Sequence, residues 1–173
     1  MTGAQPSKPA LFVKAGGVLS LSGPGLLDLL QAVLARGVPF RFRAKGFSMS
    51  PFIREGDVIT VSPLAGRPLG LGEVIAFISP ETMRLVVHRV VGRQGDGWIL
   101  AGDNVRRADG LVELDNLVGR VTSVQRNGRP VRFGLGPERV PIALLSRWGW
   151  LTTIVTTMWR LPRPPLPPRR RGQ

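Results

Sequence analysis

Cysteine is absent from this chain of 173 residues, and histidine occurs only once, at position 88. The absence of cysteine excludes disulfides, thiolate metal ligands and a cysteine nucleophile. A single histidine also excludes a metal site that needs several imidazoles. We therefore expect neither thiol chemistry nor a metal centre.

Acidic residues are scarce as well, because 11 Asp and Glu stand against 24 Lys and Arg, which gives a net charge of +13. This excess favours an anionic partner, either an acidic lipid surface or nucleic acid, although an arginine-rich surface that binds nothing is equally consistent with it. The length allows one ordinary domain with a core. The 22 Gly and 16 Pro indicate many turns between short elements.

Residues 1–37 are predicted to form a loose arm, with one short strand at 10–13, followed by an amphipathic helix. Ser22 is a candidate N-cap, Pro24 lies in the first turn, and Gly37 terminates the helix. No cleavable signal peptide is visible, and the helix is too short to span a membrane.

Residues 38–135 show the two-residue period of β-strands, beginning where Phe40 and Phe42 alternate with Arg41 and Arg43. Further strands are predicted at 58–61, 74–78, 85–91, 98–100, 117–124 and 130–133. Turns that contain Gly or Asp separate most of them. We therefore expect a mainly β domain built on an antiparallel sheet.

The last part of the chain changes character. Residues 136–160 form an apolar segment in which Trp148, Trp150 and Trp159 favour a helix at a membrane interface, rather than one that spans the bilayer or packs within the protein. Residues 161–173 are rich in Pro and Arg, so we expect a disordered tail suited to anionic head groups. These features predict peripheral membrane association, with a cytoplasmic location if the membrane role is absent.

Residues suited to chemistry concentrate in four short segments. They are Gly46-Phe47-Ser48-Met49-Ser50-Pro51, Gly72-Glu73-Val74-Ile75-Ala76-Phe77, Val87-His88-Arg89-Val90-Val91-Gly92 and Gly102-Asp103-Asn104. A Ser that follows a strand, between Gly and Pro, lies where backbone N–H groups can form an oxyanion hole. Each segment alone also has a plain structural interpretation, since Ser48 could be a turn hydroxyl, His88 a structural hydrogen-bonding residue and Asp103 a turn former.

Together and in this order, the four segments resemble the type I signal peptidase family over residues 46–121. The first segment is similar to the family's nucleophile box, the second to its central strand and the fourth to its Gly-Asp-Asn box. The common bacterial branch has a Lys base where this chain has His88. The archaeal, endoplasmic-reticulum and sporulation branch has His there, and the chain is similar to that branch of the wider signal peptidase and SOS-repressor peptidase superfamily.

The resemblance implies a signal-peptidase-like antiparallel β-fold and a serine endopeptidase that works by acyl transfer without a cofactor. Ser48 would be the nucleophile and His88 the general base. In this branch an Asp shortly after Gly-Asp-Asn completes the triad. That residue corresponds to Asp109, which is preferred over Asp103, the alternative that also lies near the site, and over Asp115.

The resemblance also implies how a peptide or protein substrate is held. Gly46, Met49 and Pro51 are the expected substrate contacts, and the substrate would lie extended along a strand edge with small side chains preceding the cut. The oxyanion hole would rely on backbone donors, including the N–H of Ser48.

Two departures from the family pattern keep other functions open. No transmembrane anchor is visible before the nucleophile, and Gly46 stands where some members have a hydroxyl residue. The first alternative is a non-catalytic membrane-surface module on the same fold. The second is a self-cleaving DNA-binding repressor, but that protein needs a helix-turn-helix domain and a Lys base, so a nucleic-acid partner is not expected.

Overall fold

The computed structural model describes residues 24–105 and 108–147. Within these ranges the chain forms eight β-strands, two α-helices and one 3₁₀ helix. In chain order the elements are α1 (Pro24–Ala35), β1 (Phe40–Arg43), β2 (Val58–Ser62), β3 (Val74–Ile78), β4 (Leu85–Gln94), β5 (Gly97–Ala101), β6 (Leu111–Val112), the 3₁₀ helix η1 (Leu114–Asn116), β7 (Leu117–Arg126), β8 (Arg129–Pro130) and α2 (Arg139–Arg147). The prediction of a mainly β fold is confirmed.

All eight strands belong to one antiparallel sheet. Its order is β1-β2-β7-β3-β4-β5-β6, and β8 pairs with β7 at the side of this path. The sheet curls into a half-barrel. As a result, β1 at one edge and the beginning of β4 line the same groove although three strands separate them in the sheet.

Strand β3 lies in the middle of the sheet with both faces covered, which explains its continuous apolar sequence. Val74 and Ala76 join the larger core, which lies beneath α1. Ile75 and Phe77 face a second cluster on the opposite side of the sheet, formed with residues of β4, β5 and β6. The sheet therefore carries a hydrophobic core on each face.

Helix α1 covers the larger core with a single apolar stripe. Leu26, Leu30 and Leu34 follow one another at intervals of one helical turn and are buried, whereas Asp28 and Gln31 are exposed. Full burial of a leucine side chain stabilises a fold by roughly 1.5–3 kcal/mol. This stripe fixes α1 over one end of the groove.

The C-terminal prediction is covered only in part. Helix α2 packs Ile142, Ala143 and Ser146 inward. The three predicted interfacial tryptophans and the tail at 161–173 lie outside the described residues, as does the strand predicted at 10–13. Among residues 24–105 and 108–147, no helix is long and apolar enough to cross a membrane.

Two strands differ from the sequence prediction. The strand expected at 130–133 is limited to Arg129–Pro130, because the chain turns at Phe133 and leaves the sheet. Strand β6 is not predicted, since a pair of residues such as Leu111–Val112 is too short to show a period. Its position is nevertheless important, because it directs the preceding loop back toward β4.

Candidate active site

The turn that carries Ser48 follows β1 directly. Gly46 has a φ of +86°, a left-handed conformation that costs other residues roughly 1–2 kcal/mol. The N–H of Ser50 then donates to the carbonyl of Phe47 (3.1 Å), and the buried side chain of Met49 anchors the turn in the core. Ser48 is left half-buried in this turn.

His88 projects from β4, where it pairs with Ile75 of β3. The residue is only 6% exposed, and its ring lies 6.0 Å from that of Phe77, centroid to centroid. A buried imidazole needs polar partners for its ring nitrogens. The neighbours of those two nitrogens therefore determine what His88 can do.

The Nδ1 atom of His88 forms a hydrogen bond with the Oδ2 atom of Asp109. The chain reaches this position because the loop after β5 folds back, and the N–H of Asp109 donates to the carbonyl of Leu100 in β5 (2.9 Å). Since β5 lies beside β4, the carboxylate meets the imidazole from the neighbouring strand. Asp115 is exposed in η1, and none of the hydrogen bonds among the described residues joins it to His88.

The other ring nitrogen of His88 faces the Ser48 turn. A Cβ atom built on Gly102 would lie 2.7 Å from the carbonyl oxygen of Ser48 and 3.0 Å from Nε2 of His88. The distance between the Ser48 carbonyl oxygen and Nε2 of His88 therefore cannot exceed the sum of these two distances. Asn104 fixes the contact, because its backbone N–H donates to the Ser48 carbonyl (2.7 Å) and its Nδ2 to the Phe47 carbonyl (3.3 Å).

The reactive groups of Ser48 have no partner within residues 24–105 and 108–147. The hydroxyl makes no hydrogen bond there and is accessible to solvent, since no buried side-chain oxygen lacks a partner, and the backbone N–H donates to no acceptor. In unliganded peptidases the bond between nucleophile and base is often long and shortens when substrate binds. The free N–H is available to a developing oxyanion.

Asp103 points away from the imidazole and belongs to a buried ion pair. Arg89 donates to both its carboxylate oxygens, at 2.8 and 2.7 Å, and both side chains are 0% exposed. The same guanidinium donates to the carbonyls of Gly72 and Gly134, each at 2.8 Å, while the Ser146 hydroxyl donates to Asp103 (3.0 Å). The pair ties the Gly-Asp-Asn loop to β4 and α2, so the structure brings Asp109 to the imidazole and Asp103 to the arginine.

A groove of about 720 Å³ opens beside Ser48. It runs between the end of β1 and the beginning of β4, with α1 above one end. Gly46 and Met49, two of the three expected substrate contacts, line it. The third, Pro51, is not among the lining residues, and its carbonyl instead accepts a hydrogen bond from Nε of Arg54 (3.3 Å).

The first half of β4 presents a free strand edge to this groove. Strand β5 pairs with β4 only from Arg89 onward, so Leu85 and Val87 have a sheet neighbour on the β3 side alone in the described part of the chain. Val90 exchanges backbone hydrogen bonds with Gly72 and Glu73, which immediately precede β3, at 2.8 Å each, so its N–H and C=O groups point toward β3. Because bonding direction alternates along a strand, the N–H and C=O groups of Leu85 and Val87 point away from β3.

Two carboxylates outside the site are kept ionised by arginines. Burial by itself raises the pKa of Glu73, but the N–H of Gly70 and the charge of Arg120 outweigh it and hold the pKa below its usual value. Burial likewise raises the pKa of Asp57, and the hydrogen bond from Arg126 brings it below the usual value. These pairs brace the strands that support the groove.

Three residues near the site have roles that sequence patterns do not reveal. Gly102 permits the close approach of Ser48 and His88, and Asn104 holds the nucleophile turn by two hydrogen bonds. For Arg89 the sequence indicates the need for a partner but not its identity, because a charged residue within a run of valines must find a buried partner. No cluster of three or more His, Asp or Glu that could hold a metal occurs in the part of the chain that the structure describes.

No protein-family model matches the sequence, and no curated protein matches it. Function must therefore be inferred from the residues and their geometry.

Proposed function

We propose that this chain is a serine endopeptidase similar to the His-type signal peptidases. The observation that carries the proposal is the position of the His88 ring, whose Nδ1 is bonded to Asp109 and whose Nε2 faces the Ser48 turn. A Ser-His-Asp triad requires this order of contacts. The burial of the imidazole holds its ring in one orientation, and the groove beside Ser48 gives a peptide access to the nucleophile.

In the proposed reaction, Oγ of Ser48 attacks the scissile carbonyl carbon while Nε2 of the neutral His88 ring accepts the hydroxyl proton. Asp109 accepts the hydrogen bond from Nδ1–H and stabilises the imidazolium that forms. The imidazolium protonates the leaving amine, and the C–N bond breaks. A water molecule, deprotonated by His88, then hydrolyses the acyl-enzyme and frees the second product.

The backbone supplies the remaining groups in this proposal. The N–H of Ser48 donates to the oxyanion of the tetrahedral intermediate. An extended substrate adds to the free edge of β4 at Leu85–Val87, so its main chain is held by the same hydrogen bonds that join strands in a sheet. The scissile bond then lies beside the Ser48 turn at the end of the groove.

The proposal is tested by labelling the full chain with a fluorophosphonate probe, followed by peptide mapping. We expect modification at Ser48, its loss in Ser48→Ala, and strong slowing in His88→Ala. Ser50→Ala is the matched control, because it removes a neighbouring hydroxyl in the same turn and should be labelled like the native protein. A folded native chain that reacts no faster than Ser48→Ala would refute the proposal.

We also propose a peripheral membrane location, which rests on the sequence of residues 148–173 alone. The test is flotation with anionic liposomes, in which the full chain is compared with a chain that ends at Arg147. This end point retains Ile142, Ala143 and Ser146, which are buried. The full chain should float in a salt-sensitive manner and the shortened chain should not; equal partitioning of the two would contradict the location.

A further inference from the structure

The groove beside Ser48 contains an apolar chamber. Its floor consists of Phe42, Met49, Ile53 and Ile59, all of which are buried and belong to the larger core. The volume of about 720 Å³ is within the ~300–1,000 Å³ range of pockets that enclose whole small molecules. A bulky apolar side chain would cover more of this apolar floor than a small side chain such as that of alanine.

The rim of the groove is basic. Arg43, Lys45 and Arg84 are exposed and line it, and no Asp or Glu is among its lining residues. Arg43 donates to the carbonyl of Gly56 (3.1 Å). Because a carbonyl carries no net charge, this bond does not neutralise the guanidinium. Lys45 and Arg84 take part in none of the salt bridges among the described residues, and Glu81, in the neighbouring turn, is exposed outside the lining.

We infer that the groove selects extended peptides in which a bulky apolar side chain enters the chamber and an acidic side chain lies against the basic rim. This inference rests on the proposed peptidase function, because it names the substrate class of the same site. It departs from the small side chains that the family resemblance implies before the cut. The chamber sets the first preference by size and the rim sets the second by charge.

Selection is measured as binding, so that it does not depend on hydrolysis. The full chain with Ser48→Ala is titrated with fluorescein-labelled peptides of equal length, in which each position in turn is Ala or Leu and a flanking position is Glu or Lys. At one position Leu should bind about tenfold more tightly than Ala or better. Ala44→Leu, which places a larger side chain on the groove wall, should abolish that difference.

The charge preference has its own variants. Glu-containing peptides should bind about two- to fivefold more tightly than Lys-containing ones, and added salt should reduce the ratio. Lys45→Glu with Arg84→Glu should reverse the ratio. Arg41→Glu with Arg129→Glu is the matched control, because it changes the net charge equally at exposed positions outside the groove lining and should leave the preference for Glu in place.

The outcomes separate this inference from the function on which it rests. If Ser48 is labelled by the fluorophosphonate but peptides bind without preference for Leu and Glu, the substrate class is wrong and the peptidase proposal stands. If the preferences are found but Ser48 is never labelled, the groove is a peptide-binding site and the peptidase proposal fails. Circular dichroism shows whether each variant is folded. If a rim variant does not fold, the salt dependence of the Glu-to-Lys binding ratio in the Ser48→Ala protein tests the charge preference by itself.

Discussion

Replacement of Arg89 by methionine should be the most destabilising single change near the site. Arg89→Met removes two hydrogen bonds to Asp103 and one to each of the carbonyls of Gly72 and Gly134. It leaves the Asp103 carboxylate at 0% exposure with one donor among residues 24–105 and 108–147, the Ser146 hydroxyl. Breaking a buried ion pair in this way costs about 3–5 kcal/mol.

The double variant Arg89→Met with Asp103→Leu tests the cause of that loss. It removes the stranded charge, while the two carbonyls remain without their donor in both proteins. We expect the double variant to be more stable than Arg89→Met by about 1–3 kcal/mol, which is the cost of leaving a buried polar group without its partner. If the lost hydrogen bonds, and not the buried charge, caused the destabilisation, the double variant would be no more stable than Arg89→Met.

Urea unfolding followed by far-UV circular dichroism measures both differences as shifts of midpoint at constant slope. Arg41→Met is the control, because Arg41 is exposed and donates to Gln125 at the surface. Its change should stay within about 0.5 kcal/mol. A loss below about 1 kcal/mol for Arg89→Met would refute the interpretation of this pair as a buried clamp.

Three further predictions concern the imidazole, the close approach beneath it and the acid limit of stability. Asp109→Asn should lower the rate of peptide hydrolysis by about 10⁴-fold, whereas Asp115→Asn should leave the rate unchanged. Equal effects of the two changes on that rate would remove Asp109 from the triad. Gly102→Ala should abolish fluorophosphonate labelling because its methyl group would lie 2.7 Å from the Ser48 carbonyl oxygen, while Gly92→Ala, with nearest contacts of 3.5 Å or more, should be labelled normally. Glu73 has a folded pKa below its ordinary value of 4.5. Its contribution to the stability of the fold is therefore complete above that value and is lost as the pH falls through the lowered pKa. Urea midpoints should decline with acidification below about pH 4.5, and Glu73→Gln should flatten that decline.

Much of the sheet could be predicted from local sequence. The alternation of Phe40 and Phe42 with arginines gives β1, and its buried and exposed positions follow the pattern. The run 74–78 gives β3 with the same boundaries. These segments are predictable because each strand's burial is determined by residues within a few positions of one another.

The contacts of the site could not be predicted in this way. Ser48, His88 and Asp109 lie on a turn, a strand and a loop, and they lie near one another because the sheet curls and β6 returns the chain beside β5. Only the order of the segments, through the family resemblance, suggested that they belong together. Arg89 and Asp103 are fourteen positions apart, and no local period links a strand residue to its partner in a loop.

The neighbouring positions of His88 and Arg89 on β4 have a consequence for how this chain tolerates insertions. Successive side chains of a strand point to opposite faces, so a slip of one residue would move the imidazole to the face of the guanidinium and the guanidinium to the face of the imidazole. Both faces would then carry the wrong group, which makes β4 a strand whose register is specified twice. Residues can therefore be added within the turn at 79–84, before β4 begins, but a single residue added between Leu85 and His88 should cost the clamp and the site together.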